Sequence, residues 1–215
     1  EIVTRGLEAE TFVGNSLVRV YSRYSALQEA RKVFDKILTR DIVSWNALIA
    51  GYVKHEYAKE ALDCYEEIQL DGLSANAITY ACILKSCGSV GSLEIGKEID
   101  AEIRKQGLLH KDIFLDTAFV DMYSKCGLHE EAFRVLEKLT LRNIVSWNAI
   151  ISGYVLYGME LVVFNRFNKM LEQGIKPSSA TFTILLNTCS HLGLLERGLM
   201  YFATMSLVFN ITPFV

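Results

Sequence analysis

The chain repeats itself at a fixed spacing of 102 residues. Residues 41–52 read DIVSWNALIAGY and residues 143–154 read NIVSWNAIISGY. Val18, Tyr21, Ser22, Glu29, Ala30 and Val33 recur at the same offset as Val120, Tyr123, Ser124, Glu131, Ala132 and Val135. Leu84, Cys87, Gly91, Leu93, Glu94 and Gly96 recur as Leu186, Cys189, Gly193, Leu195, Glu196 and Gly198. Three separate landmarks sharing one offset argue against chance similarity. A self-similar chain implies stacked units, each burying its neighbour's apolar face.

Within the cycle, apolar residues follow helical spacing. Trp45, Leu48, Ile49 and Tyr52 share one face at i, i+3, i+4 and i+7. Ala61, Leu62, Tyr65 and Ile68 repeat the pattern within 58–70, and Gly72 follows as a helix stop. This predicts a helix–turn–helix hairpin. The next hairpin is expected at 79–87 and 92–105, closed by Gly107, and a third at 114–125 and 129–139. Equivalent positions divide the cycle into units of 31, 35 and 36 residues: 11–41, 42–76, 77–112, 113–143, 144–178 and 179–214. Residues 1–10 are expected to be the tail of an earlier long unit, with Gly6 in the register of Gly107. The six units are read as one continuous domain.

Half of the residues are hydrophobic (51%), enough for a continuous core, and only Pro177 and Pro213 interrupt helix formation. The most apolar stretch, 144–164, is broken by Ser146, Asn148, Ser152, Gly153 and Glu160, so no membrane span is read. A net charge of −3 argues against a globally basic nucleic-acid binder but leaves room for a local basic stripe. The five cysteines are odd in number and widely spaced, which suggests reduced, buried thiols rather than a disulfide frame. Nothing at the start resembles a signal or transit peptide. The chain begins mid-pattern and ends where another unit would begin. A fragment or processed core is therefore expected, whose apolar ends offer a route to self-association.

No catalytic constellation stands out, and no cofactor or metal is expected. His55, His110, His129 and His191 stand apart, and neither H-E-x-x-H nor C-x-x-C occurs. A zinc deaminase would need those ligands and a glutamate general acid. Residues 91–98 nearly spell a phosphate loop, but Glu98 stands where Ser or Thr would ligate magnesium. They are read as a turn and the start of a second helix. Trp45 and Trp147 are read as core through their register with Leu48/Ile49 and Ile150/Ile151. Arg31, Lys32, Arg104, Lys105 and Arg134 fall on second helices and are read as solvated charges.

Several segments carry a family resemblance. They are Ser-Trp-Asn-Ala at 44–47 and 146–149, Ala30-Arg31-Lys32-Val33-Phe34-Asp35, Leu93-Glu94-Ile95-Gly96-Lys97-Glu98-Ile99 and Met122-Tyr123-Ser124-Lys125-Cys126-Gly127. Over essentially its whole length the chain resembles the pentatricopeptide repeat (PPR) family. Its short–standard–long alternation resembles the plant PLS class. The resemblance implies an all-α fold, an α-solenoid (right-handed superhelix) of helix–turn–helix repeats. It also implies binding of single-stranded RNA in mitochondria or chloroplasts, one base per repeat.

The same resemblance assigns base recognition to the fifth and last residues of each unit. The pairs are Asn15/Asp41, Asn46/Asn76, Ala81/Asp112, Thr117/Asn143, Asn148/Ser178 and Thr183/Phe214. Short polar side chains suit this task because they meet Watson–Crick edges as donor or acceptor. By resemblance the target reads U–(C or U)–N–A–C–N, the two long units being poor readers. Phe12, Val43, Ile78, Phe114, Val145 and Ala180 would sandwich bases, and Arg23, Lys54 and Lys125 would approach phosphates. Site recognition for C-to-U RNA editing is the favoured process, with small organellar editing factors docking on the long units 77–112 and 179–214. RNA splicing or stabilisation is the alternative within the family. Outside it, a tetratricopeptide-like protein-binding scaffold fits Ala30-x-x-x-Phe34 and Ala61-x-x-x-Tyr65, but not the unequal unit lengths. For Asn46 and Asn148 the competing reading is a helix-terminal residue that satisfies a backbone N–H.

Overall fold

The computed structural model describes residues 10–108, 112–139 and 142–212. Residues 1–9, read as the tail of an earlier unit, and Phe214 lie outside the described residues. Among the described residues, twelve α-helices alternate with short turns and no strand forms. The first helices of successive hairpins are α1 (Thr11–Arg23), α3 (Ile42–Lys54), α5 (Ala77–Val90), α7 (Ile113–Lys125), α9 (Ile144–Leu156) and α11 (Ser179–His191). The second helices are α2 (Leu27–Lys36), α4 (Ala58–Leu70), α6 (Leu93–Lys105), α8 (His129–Lys138), α10 (Glu160–Glu172) and α12 (Leu195–Leu207). The fold is an all-α helical repeat. Helix α5 is longer than the 79–87 its apolar spacing predicts, because Asn76 caps its start and Gly91, in the left-handed region at φ 73°, ends it.

The residues divide into two compact units, one up to Ala118 and one from Phe119. In the first, α1, α3 and α5 lie against one another in sequence, with α2, α4 and α6 each packed on its own first helix. In the second, α9 packs on α8, α10 and α11, and α11 on α12. Within each compact unit, neighbouring hairpins therefore bury their apolar stripes against one another. Trp45 and Trp147 are fully buried, as their register predicts. Phe34 meets Trp45 edge-on at 4.5 Å; one cycle later Leu136 holds the place of Phe34, and Phe133, in the place of Arg31, meets Trp147 at 6.4 Å. Buried aromatics of this size each contribute roughly 1.5–3 kcal/mol of transfer free energy, more where rings meet edge to face.

Arg31 departs from the solvated charge expected of it. It is half-buried and forks onto Glu67 of α4, Nη1 to Oε1 at 3.0 Å and Nη2 to Oε2 at 2.8 Å, while Nε holds Asp35 at 3.0 Å. A planar guanidinium two hairpin helices away matches a carboxylate in a way that sequence spacing within one helix cannot reveal. Two other arginines repeat a local device. Arg40 donates from Nε to the Phe34 carbonyl (3.3 Å) and from Nη2 to that of Asp35 (2.8 Å). Arg142 does the same to Leu136 (3.0 Å) and Glu137 (2.6 Å). Each thereby closes the carbonyl of Asp35 or Glu137 at the end of a short unit's second helix and shares that of Phe34 or Leu136 with the backbone N–H of Ile37 or Leu139.

First helices approach most closely where small residues meet. A Cβ placed on Gly51 of α3 would lie 2.7 Å from the Ser22 Cβ of α1, and one on Gly153 of α9 would lie 2.6 Å from the Ser124 Cβ of α7. Both partner atoms are fixed to helix backbones, so neither helix pair admits a methyl group without separating. Gly51→Ala and Gly153→Ala should each lower stability by about 1–2 kcal/mol, because overpacking of roughly 1–3 kcal/mol outweighs a helix-propensity gain of at most ~1 kcal/mol. Urea denaturation checks this; an increase in the midpoint would contradict it.

His129 occupies the place held by Leu27 one cycle earlier. It is buried, stacked on Tyr154 at 4.7 Å and edge-on to Tyr157 at 5.1 Å. Burial pushes its imidazole pKa below the ordinary value, against a weaker upward pull from Glu130. The folded state thus takes up the proton later than the unfolded chain does. Its contribution is present above the unfolded pKa of about 6.5 and is lost as pH falls through the lower folded value. His129→Leu should therefore reduce the drop in urea midpoint between pH 7.5 and pH 5.5. An unchanged drop would show that the loss arises elsewhere.

Candidate nucleic-acid interface

The opening turn of each first helix brings together the residues singled out above. From α3 onward the last residue of one unit starts the first helix of the next. Asp41, Asn76, Asn143 and Ser178 are the N-caps of α3, α5, α9 and α11. Each accepts the backbone N–H of the third residue of its helix: Ser44 (2.8 Å), Thr79 (3.1 Å), Ser146 (2.9 Å) and Thr181 (3.4 Å). The third residue's hydroxyl accepts the cap's own N–H in return, closing a capping box with Ser or Thr in place of the usual Glu or Gln. Asp112 Oδ1 accepts from Phe114 N at 2.8 Å and Leu115 N at 3.3 Å. The residues assigned to base recognition thus also start helices. The sequence carried the signal, Asp, Asn or Ser three places before Ser or Thr.

The Asp41 carboxyl lies below the ordinary carboxylate range. Partial burial pushes it up, and the backbone N–H and hydroxyl of Ser44, with the N–H of Val43, outweigh that. It is ionised at neutral pH and presents an acceptor at the open end of α3.

The fifth residues follow one helical turn later, and the structure treats them unequally. Asn46 Nδ2 donates to Asn76 Oδ1 at 3.2 Å, and its Oδ1 accepts from Thr79 Oγ1 at 2.7 Å. Asn148 Oδ1 accepts from Thr181 Oγ1 at 2.8 Å. Neither satisfies a backbone N–H at its own helix start, so the helix-terminal role belongs to Asp41 and Asn143 instead. Asn15 is buried, and its Oδ1 has no partner among the described residues; the same holds for Thr117 Oγ1. Ala81 is half-buried. Thr183 is exposed and donates back to the Ser179 carbonyl at 3.0 Å.

The second residues form a row of exposed apolar side chains. Phe12, Val43, Ile78, Phe114 and Val145 are between 44% and 84% exposed, and Ala180 is exposed too. The core does not require an apolar group there in unit after unit. At the thirteenth place, Arg23 and Lys54 are exposed. Lys125 is drawn back along α7 to Asp121 at 2.8 Å, and His191 lies 3.7 Å from Glu160. Two exposed cations at the ninth place were missed from sequence, Arg19 of α1 and Lys85 of α5. They lie on the face of the second and thirteenth residues by i+7 and i+4 spacing. Helices α1, α3 and α5 contain no acidic residue. The local basic stripe is therefore denser in the first unit than the thirteenth place alone indicates.

Comparison with known sequences matches this repeat pattern. The PPR repeat family profile matches residues 40–89 and 142–191, and the PPR repeat profile matches 15–42, 117–144 and 180–206. The chain belongs to the pentatricopeptide repeat family. Among similar PPR proteins of Arabidopsis thaliana, one named as mitochondrial is 33% identical over 99% of this chain and 33% of its own length. Another, named as chloroplastic, is 34% identical over 99% of this chain and 25% of its own length. The chain thus spans between 24% and 45% of the length of the curated relatives it matches. In fold it is similar to the crystal structure of the PPR protein PPR10 from maize, with a TM-score of 0.72 at 17% identity, covering 94% of this chain and 30% of that one.

Removal of a cap tests the double role of the last residue. Asp41→Ala should cost about 1 kcal/mol at pH 7. The depressed carboxyl pKa means that this contribution is present above the unfolded value of about 3.9 and is lost as pH falls through the folded one. Denaturation midpoints of the two proteins at pH 7 and pH 3 should therefore converge at the lower pH.

Proposed function

We propose that this PPR array binds single-stranded RNA sequence-specifically, one base per repeat, with no catalysis of its own. The observation that carries the reading is the trio that recurs at the starts of the first helices: an exposed apolar second residue, a fifth residue that is Asn or Thr in every unit but the third, which has Ala81, and a polar side-chain cap at α3, α5, α9 and α11. Bases splayed from a single strand need an apolar surface for their faces and hydrogen-bonding groups for their edges. The cations Arg19, Arg23, Lys54 and Lys85 supply phosphate attraction that the net charge conceals.

The pairs in this register favour U–(C or U)–N–A–C–N. Asp41, ionised and paired with Asn15 by the register, suits uracil, whose N3–H is a donor on the Watson–Crick edge. Asn148 with Ser178 suits cytosine, which presents N3 as an acceptor there. Names of relatives that place them in mitochondria or chloroplasts support an organellar site of action. The unequal units support assignment to the PLS class, and with it recognition of a C-to-U editing site rather than splicing or stabilisation.

Partner docking on the long units would be unequal. Leu199, Met200, Phe202 and Leu207 of α12 stand where α6 has Lys97, Glu98, Asp100 and Lys105. All four apolar side chains of α12 are exposed. This supports the unit at 179–214 over that at 77–112 as the place for a small editing factor.

Titration of the chain against short RNAs carrying the target and against scrambled controls, at two salt concentrations, tests the reading. Tighter binding to the target is expected, with affinity falling as salt rises. Equal binding to all sequences, or none, would overturn it. Ser178→Asp should move the preference at the fifth target position from C to U and leave the others as they were.

A further inference from the structure

We infer that Thr79 and Thr181 are positioning residues that fix which end of the amide Asn46 and Asn148 turn toward the RNA. The inference rests on the RNA-binding reading and adds residues that contact no base. Both threonines are fully buried. Thr79 Oγ1 accepts the Asn76 backbone N–H at 3.2 Å, and Thr181 Oγ1 accepts that of Ser178 at 3.0 Å. A backbone N–H only donates, so it occupies a lone pair of each hydroxyl and directs the hydroxyl proton elsewhere. For Thr79 the nearest acceptor is Asn46 Oδ1 at 2.7 Å; Asn76 Oδ1, at 3.1 Å, already receives Ile78 N, Thr79 N and Asn46 Nδ2. For Thr181 it is Asn148 Oδ1 at 2.8 Å. Each asparagine carbonyl is thereby engaged by its threonine, which leaves the NH2 as the end that can still bond; Asn46 Nδ2 gives one of its two N–H groups to Asn76 Oδ1 and keeps the other.

The short units lack this device. Ser44 Oγ spends its proton on Asp41 Oδ1 at 2.9 Å, within its own capping turn, and Asn15 Oδ1 is left without a partner among the described residues. Ser146 Oγ donates to the Asn143 carbonyl at 2.9 Å in the same way. Threonine differs by its β-methyl, which restricts χ1. A locked amide offers donors only. It favours a base with acceptors at the Watson–Crick edge, and cytosine carries N3 and O2 side by side. A free amide flips to suit donor or acceptor and discriminates less.

The test measures affinity for RNAs that differ only at the second or only at the fifth target base. The wild-type chain should prefer pyrimidine to purine by about tenfold at each. Thr79→Ser keeps the hydroxyl and the capping box, as Ser44 and Ser146 do, and Thr79→Val removes both. Each should reduce the preference at the second base to within about twofold and leave the fifth base unaffected. Thr181→Ser should do the converse. Ser44→Thr should sharpen the first position. Retained preference at the second base in both Thr79 variants, or an equal loss at both bases, would overturn the inference while leaving RNA binding intact. A wild-type chain with no base preference would overturn the RNA reading itself.

Discussion

The N-terminal capping interaction is the constraint on which the rest of this structure depends. A helix start leaves four N–H groups without partners, and here a single side chain from the end of the preceding unit takes one or two of them. The cap fixes where the helix begins. The fifth residue then falls one turn later, the second residue projects from the open end, and the buried Trp45 or Trp147 falls on the core side. Fold and candidate reading surface are thus set by one hydrogen-bonded joint. Its side chain has two tasks that favour the same short polar residues, Asp, Asn and Ser.

Much of this was legible in the sequence. The 102-residue offset and the helical spacing of Trp45, Leu48, Ile49 and Tyr52 point to stacked hairpins, and the first helices begin at Thr11, Ile42, Ala77, Ile113, Ile144 and Ser179. Periodicity shows which face a residue occupies but not what it touches. That is why the ion pair between Arg31 and Glu67, the pairing of Lys125 with Asp121 and the burial of Asn15 were not foreseen. The caps depart from the usual sequence signature for a different reason: Ser or Thr stands at the third helical position, where a capping box ordinarily has Glu or Gln. Helix initiation and base recognition at the last residue are consistent, since a cap uses one oxygen of Asp41 and leaves the other free.

The two copies of the cycle have diverged in charge and polarity while keeping their frame. The exposed faces of α1, α3 and α5 carry Arg19, Arg23, Lys54 and Lys85, whereas the matching places in α7, α9 and α11 hold Asp121, Lys125, Leu156 and Asn187. On the outer side, α12 is apolar where α6 is charged. Core positions tolerate little of this because each is packed on both sides, but the faces of a repeat are free to specialise separately.

Arg40 and Arg142 have a mechanical consequence. Each sits immediately before a cap and reaches back to two carbonyls at the end of the preceding helix, so that a rigid, planar group spans the joint from both sides. The joint after α4 is closed only by backbone, through Gly72 and Leu73. An extra residue there can be absorbed by a reshaped turn, whereas one placed next to either arginine would break two bonds and shift the cap. The array therefore has compliant and stiff hinges in a set order, and changes in loop length should accumulate only at the compliant ones.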